Sequence, residues 1–221
     1  MRGLVDGFRA AAREAGASSG DAALVAAAEG LLGRWSEPQR HYHTVTHLSA
    51  VLGVVSEFGG LAAHPERVVL AGWLHDAVYE PRAVGDANER ASSALAAGLL
   101  VSLGVPDEVV GEVVRLVLLT AGHVTGDDDP DGALLCDADL AILAGDEATY
   151  AGYAAAVRRE YAHVPDPDFR LRRGRILAAL LELPSIYQLP PLRARWEQAA
   201  RANLERELGM QVFGSPQAGL A

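Results

Sequence analysis

Three stretches of this 221-residue chain place imidazoles or carboxylates where burial alone gives them no reason to be. His75 and Asp76 interrupt the apolar run WLHDAVY at 73–79, and Asp137 and Asp139 interrupt ALLCDADLAIL at 133–143. His47 lies four residues before Val51 in a helical stripe of Val51, Val54, Val55 and Phe58, so it points inward with them. His43 stands one turn earlier, and the two imidazoles lie side by side if the helix begins early enough. A buried carboxylate is costly unless a cation or a metal accompanies it. Singly, each group has an ordinary explanation, an inward His as a hydrogen-bonded core residue or a lone Asp as a helix cap. Together, His47, His75, Asp76 and Asp139 occupy three successive core-facing contexts with no side-chain cation inside them. A divalent ion is then the simplest partner, and two imidazoles with two carboxylates suit Mn²⁺, Fe²⁺, Co²⁺, Ni²⁺ or Zn²⁺, with Mg²⁺ also admitted, better than Ca²⁺.

The rest of the composition narrows the chemistry. All 19 basic residues are arginine, which leaves no lysine for a Schiff base, a P-loop or a kinase-type ATP site. The single cysteine, Cys136, allows neither an internal disulfide nor a CxxC motif. A formal charge of −10 opposes non-specific binding to nucleic acid or anionic membrane, so a small molecule is the expected partner. No apolar run reaches the ~18 residues of a membrane span, and the N-terminal stretch lacks the apolar core of a signal peptide. The expected setting is cytoplasmic, and a homodimer is compatible with the reading.

Apolar positions recur at helical spacing almost throughout, which predicts an all-α fold. Helices are expected near 3–16, 21–34, 44–58, 65–78, 87–103, 107–120, 133–144, 146–162, 168–183 and 191–208. Ser19-Gly20-Asp21, Pro106-Asp107 and Pro190-Pro191 read as starts, Gly59-Gly60 and Gly104 as stops. One domain over 1–213 is expected, with a motif-bearing core at 40–145, C-terminal helices at 146–208, and a loose tail at 214–221.

The ordered set of motifs resembles the HD superfamily of metal-dependent phosphohydrolases, and in particular a branch of small bacterial members. The carrying residues are Tyr42-His43-Thr44-Val45-Thr46-His47, WLHDAVY at 73–79, Asn88-Glu89-Arg90-Ala91-Ser92, Thr120-Ala121-Gly122-His123, and Asp137-Ala138-Asp139-Leu140. Weaker matches at Glu160-Tyr161, Gly174-Arg175 and Asn203-Leu204 extend the similarity over about residues 35–205. The resemblance implies an HD-like bundle of nine or ten helices, with metal ligands at His47, His75, Asp76 and Asp139. Asp137 belongs to the same pattern and is the alternative to Asp139, or a group supporting it. His43 and His123 are candidates for substrate contact or for further ligands.

The implied chemistry is hydrolysis of a small phosphorylated substrate by a metal-activated water. Asp76 or Glu89 is the candidate base, with Asn88 beside it as a helix cap and a candidate substrate contact. Arg40 and Arg175 are candidate phosphate contacts, because a guanidinium binds phosphate with two parallel donors. The cluster Arg170, Arg172, Arg173 and Arg175 reads as mostly solvated. Two other readings stay open: an HD-type di-iron oxygenase using His43 and His123, and a regulatory module that binds metal or nucleotide without turnover. The acidic loop Asp127–Gly132 imitates the start of an EF-hand, but Ala138 stands where its bidentate Glu belongs. His43 to His47 imitates a zincin helix, but Thr44 replaces the general-base Glu.

Overall fold

A computed structural model describes residues 1–213, so the expected tail at 214–221 lies outside the described residues. Within them the fold is all-α, with ten α-helices and no strand. Backbone contacts divide the chain into two compact units, Met1–Asp139 and Leu140 onward.

The first unit contains α1 (Arg2–Glu14), α2 (Asp21–Arg34), α3 (Val45–Phe58), α4 (Pro65–Leu74), α5 (Ala87–Ser102), α6 (Asp107–Leu119) and α7 (Pro130–Asp139). Helix α4 is its hub, packing against α1, α3, α5, α6 and α7. That position demands an apolar surface all round, and Val68, Leu70, Ala71, Gly72, Trp73 and Leu74 are all buried. Gly72 permits the closest approach: a Cβ there would lie 3.3 Å from Leu52 Cδ2 and 3.5 Å from Val51 Cγ1 on α3. Phe8 of α1 meets the Trp73 indole edge-on at a centroid distance of 5.3 Å. Helix α5 stops where expected, because Gly104 takes φ +71, which a residue with a Cβ adopts only with strain.

Three helices differ from the sequence reading by more than two residues; the last, Pro190–Phe213, runs five residues past the expected 208. Helix α4 ends at Leu74, four residues short of the expected 78, so His75 and Asp76 stand in the turn beyond it rather than inside a helix. Helix α7 begins at Pro130 and ends at Asp139, where 133–144 was expected, and the 3-10 turn Leu140–Ala144 follows. Its early start is set by the acidic loop: Asp129 Oδ1 accepts the Gly132 amide at 2.9 Å as an N-cap and also pairs with Arg115.

Asp131 holds α4 from outside. It is buried, and its Oδ1 accepts the amides of Ala63 and His64 at 2.7 and 3.0 Å, just ahead of Pro65. His64 caps α4 with no side-chain bond of its own, so these amides depend on a residue 67 and 68 positions away.

The second unit contains the turn Leu140–Ala144, α8 (Glu147–Glu160), α9 (Asp166–Glu182) and α10 (Pro190–Phe213). Arg173, expected to be solvated, is buried. It forms a two-pronged pair with Glu207 at 2.9 and 3.0 Å and a bond to Tyr153 Oη at 3.0 Å. Tyr150 Oη donates to the same Glu207, and Asn203 donates to the carbonyls of Leu143 and Gly145. Two tyrosine hydroxyls thus help substitute for water around one buried guanidinium and the buried carboxylate it pairs with.

Asp131→Ala is expected to lower the free energy of unfolding by about 1–3 kcal/mol, because it leaves two amides at the start of the hub helix without an acceptor. Urea denaturation would measure this; an unchanged midpoint would show that water serves those amides equally well.

Candidate metal centre

Four segments of the first unit deliver the site. The N-cap of α3 is Thr44, whose Oγ accepts the Thr46 amide, and the helix therefore begins at Val45. His47 falls in its first turn and points into the core, as its place on the apolar stripe predicts. His43 precedes the cap, so it is not on the helix. The imidazole pair nevertheless forms, with ring centroids 5.8 Å apart and Tyr42 packed against both.

His75 is the C-cap of α4, and its Nδ1 lies 2.8 Å from the Gly72 carbonyl in the last turn. That bond needs a proton on Nδ1, which leaves Nε2 as the nitrogen aimed at the site. Asp139 ends α7. Two residues along a helix differ by about 200°, so Asp137 faces elsewhere in full burial while the Asp139 carboxylate joins the histidines.

His47 Nε2 lies 3.0 Å from Asp139 Oδ1 and 3.3 Å from His75 Nε2, and His75 Nε2 lies 3.5 Å from the same oxygen. Donors bonded to one metal at about 2.1 Å are separated by about 3.0 Å in octahedral and about 3.4 Å in tetrahedral arrangement. Two of the three observed separations fall in that range and the third, 3.5 Å, lies just above it, and His47, His75 and Asp139 form a group that could hold a metal ion. Asp76, expected as a fourth ligand, stands beside this group. Its Oδ2 is 3.4 Å from His75 Nε2 and 3.8 Å from His43 Nε2. His123 Nε2 lies 2.8 Å from the other Asp139 oxygen, so this histidine orients the carboxylate. It does so from a left-handed backbone, φ 52, the only such non-glycine conformation among the described residues.

Solvent reaches the group through its less buried members, which make up its open edge. The side chains of His47 and His75 are 4% and 1% exposed, while Asp76, Asp139, His43 and His123 are 12%, 15%, 20% and 23% exposed and line the open edge. Glu89, in the first turn of α5, is half-buried with its Oε2 enclosed and without a hydrogen-bond partner. Burial, with the charges of Asp76 and Asp86, pushes its pKa up from the ordinary glutamate value.

Two expected contacts take other roles. Arg40 is buried and its donors are committed to protein acceptors: Asp76 O at 2.8 Å, His43 O at 3.1 Å, Ala77 O at 3.3 Å and Glu37 Oε2 at 3.3 Å. It therefore does not face a phosphate. Asn88 lies inside α5, whose N-cap is Asp86. Its amide bridges the Glu80 backbone, accepting from N at 2.9 Å and donating to O at 3.2 Å. Arg175 is exposed on α9 in the second unit. Trp35, which the sequence reading does not single out, is fully buried. Its indole N–H donates to Trp73 O at 3.0 Å, and its ring lies 5.4 Å from that of His75 and 6.1 Å from that of His47. Nothing in the spacing of Trp35 marks it, because its role depends on two distant segments.

No family model, curated protein or solved structure matches this chain.

The electrostatics of the cluster favour one proton on the histidine pair. Burial opposes charge on both rings, and it prevails at His47, whose pKa falls. At His75 the carboxylates of Asp76 and Asp139 overcome burial and raise the pKa to about 9. Burial also opposes charge on Asp139, but the three surrounding imidazoles hold it well below the usual carboxylate range. Because the folded pKa of His75 lies above its ordinary value, its proton contributes to stability below about 6.5, and that contribution is lost as pH rises through about 9. A metal requires this nitrogen unprotonated. Metal affinity is therefore expected to rise about tenfold per pH unit between roughly 6.5 and 8, with about one proton released per ion bound at pH 7. Calorimetry in buffers of different ionisation enthalpy counts that proton; a pH-independent affinity would contradict the assigned charge state.

Proposed function

We propose that this chain is a metal-dependent phosphohydrolase of the HD superfamily, acting on a small phosphorylated molecule such as a nucleotide or another phosphoester. The observation that carries the reading is the convergence of His47 Nε2, His75 Nε2 and Asp139 Oδ1, with Asp76 beside them, at a site open on one edge. The ordered motifs that supply these residues support it independently. A divalent ion held by His47, His75 and Asp139, with Asp76 as the fourth donor, supplies Lewis acidity that neutralises phosphoryl charge and lowers the pKa of water.

The protein's own groups do the rest. His75 is fixed in orientation by the Gly72 carbonyl, and Asp139 by His123, so the donor set is preorganised rather than assembled on binding. Burial of the two imidazoles limits bulk water to the open edge. Glu89 takes the proton of the attacking water through its unpartnered oxygen, and its raised pKa makes it a better base than an exposed glutamate. His43, stacked on Tyr79 at 4.1 Å and facing the open edge, is the substrate contact in this reading. Hydroxyl and phosphate groups of the substrate meet imidazole and backbone there, since Arg40 is committed elsewhere.

The purified protein is expected to carry a divalent metal and to release phosphate from nucleotides or phosphoesters. His75→Ala and Asp76→Ala should lose both, and metal content and turnover unchanged in these variants would end the proposal. Two irons per chain, oxygen consumption and no phosphate release would replace it with the oxygenase reading.

Glu89→Gln is expected to lower kcat by about 10²–10⁴-fold while metal affinity changes little. In the parent protein the acid limb of kcat/KM should lie above the ordinary glutamate range, since protonating the base stops proton transfer, and that limb should vanish in the variant. A pH–rate profile of both proteins tests this; a Glu89→Gln enzyme with parental kcat removes Glu89 from the mechanism.

A further inference from the structure

We propose that Arg40 is a positioning residue for the metal centre, acting through the backbone of the two segments that carry His43 and His75-Asp76. The proposal rests on the assignment of His47, His75 and Asp139 as metal ligands, and on nothing concerning the substrate.

Helix α4 ends at Leu74, and carbonyls at and beyond a helix end have no partner within the helix. In a buried turn, water does not reach them either, and each unsatisfied acceptor is costly. The Arg40 guanidinium meets this need. One Nη donates to Asp76 O at 2.8 Å and to His43 O at 3.1 Å, and the other donates to Ala77 O at 3.3 Å. Its side chain is 0% exposed. The same group, itself 36 positions from Asp76 in sequence, thereby ties the residue before the α3 cap to the turn after α4. A cation is also favoured at this place, because the C-terminal end of a helix carries partial negative charge.

Aromatic rings hold the guanidinium. Its carbon lies 5.4 Å from the Trp35 ring centroid and 5.5 Å from that of Tyr79. Trp35 also packs against both metal-facing histidines, and Tyr79 stacks on His43. The groups that touch Arg40 are thus those that orient His43, His47, His75 and Asp76. A structural ion pair would need only Glu37, which is a third exposed and 3.3 Å away. The carbonyl bonds are what link this arginine to the site. Lysine cannot replace it, since a point ammonium lacks the planar fork that reaches three carbonyls in different directions.

The test uses the metal-stripped full chain and Co²⁺ as the probe, with affinity from calorimetry and ligand geometry from the visible absorption bands. Arg40→Lys and Arg40→Met are expected to bind Co²⁺ at least about 10-fold more weakly, with altered bands, at temperatures where circular dichroism shows both variants folded. Glu37→Gln, which leaves the carbonyl bonds in place, should bind within about twofold of the parent. A folded Arg40→Lys with parental affinity and spectrum would overturn the proposal, and so would a Glu37→Gln defect as large as that of Arg40→Lys. Should the Arg40 variants not fold, the parent protein supplies the answer. Coupling is reciprocal, so saturating Zn²⁺ should slow hydrogen exchange of the Arg40 guanidinium protons roughly tenfold in NMR spectra. Exchange indifferent to Zn²⁺ would overturn the proposal. A parent protein that binds neither Co²⁺ nor Zn²⁺ fails the metal assignment itself, an outcome distinct from a metal site that ignores Arg40.

Discussion

The Asp139 carboxylate is the group on which the arrangement of the first unit turns. It ends α7, it is surrounded by imidazoles from three other segments, and both of its oxygens are engaged. A carboxylate removed from water must be met by donors or cations. Here the donors come from α3, from the turn after α4 and from the loop after α6, so satisfying one charge fixes how several pieces of chain approach each other. The dependence is mutual. His75 holds its proton because carboxylates flank it, and His123 keeps an unfavourable backbone conformation while bonded to the far oxygen.

Much of this was legible in the sequence. Period-3.6 patterning locates the ten helices, and the Gly and Pro signals fix starts at Asp21 and Asp107 and stops before Gly59 and at Gly104. The convergence of His47, His75 and Asp139 follows from their places on apolar faces, since inward-facing polar groups on neighbouring helices have few places to go. The end of α4 was not legible, because WLHDAVY continues an apolar pattern and the interactions that let the chain leave the helix come from Arg40. Composition describes arginine as a surface residue, so the burial of Arg40 and Arg173 was equally hidden; each depends on partners far along the chain. The start of α7 turned on Pro130 and the Asp129 cap, both of which read from sequence as parts of a polar turn.

A shared device runs through both units. With no lysine in the chain, every permanent side-chain cation is a guanidinium, and two of them are placed in the interior with their donors directed at named acceptors. Guanidinium suits that use because it stays charged on burial and presents donors in a fixed plane. Arg40 closes a helix end onto three carbonyls, while Arg173 grips Glu207 between Tyr150 and Tyr153. Polar networks of this kind specify one packing, because a slipped arrangement leaves a charge unmatched.

The lone thiol has a practical consequence. Cys136 is fully buried on α7, and burial together with the nearby carboxylates of Asp139 and Asp137 pushes its pKa up. Sulfur therefore stays protonated and out of reach of solvent. A cobalt-substituted sample offers no sulfur-to-metal charge-transfer band to obscure its weaker visible transitions, and mild oxidants find no accessible thiolate to convert. The chain is in this respect a clean optical host: colour acquired on adding a transition ion reports on nitrogen and oxygen donors alone.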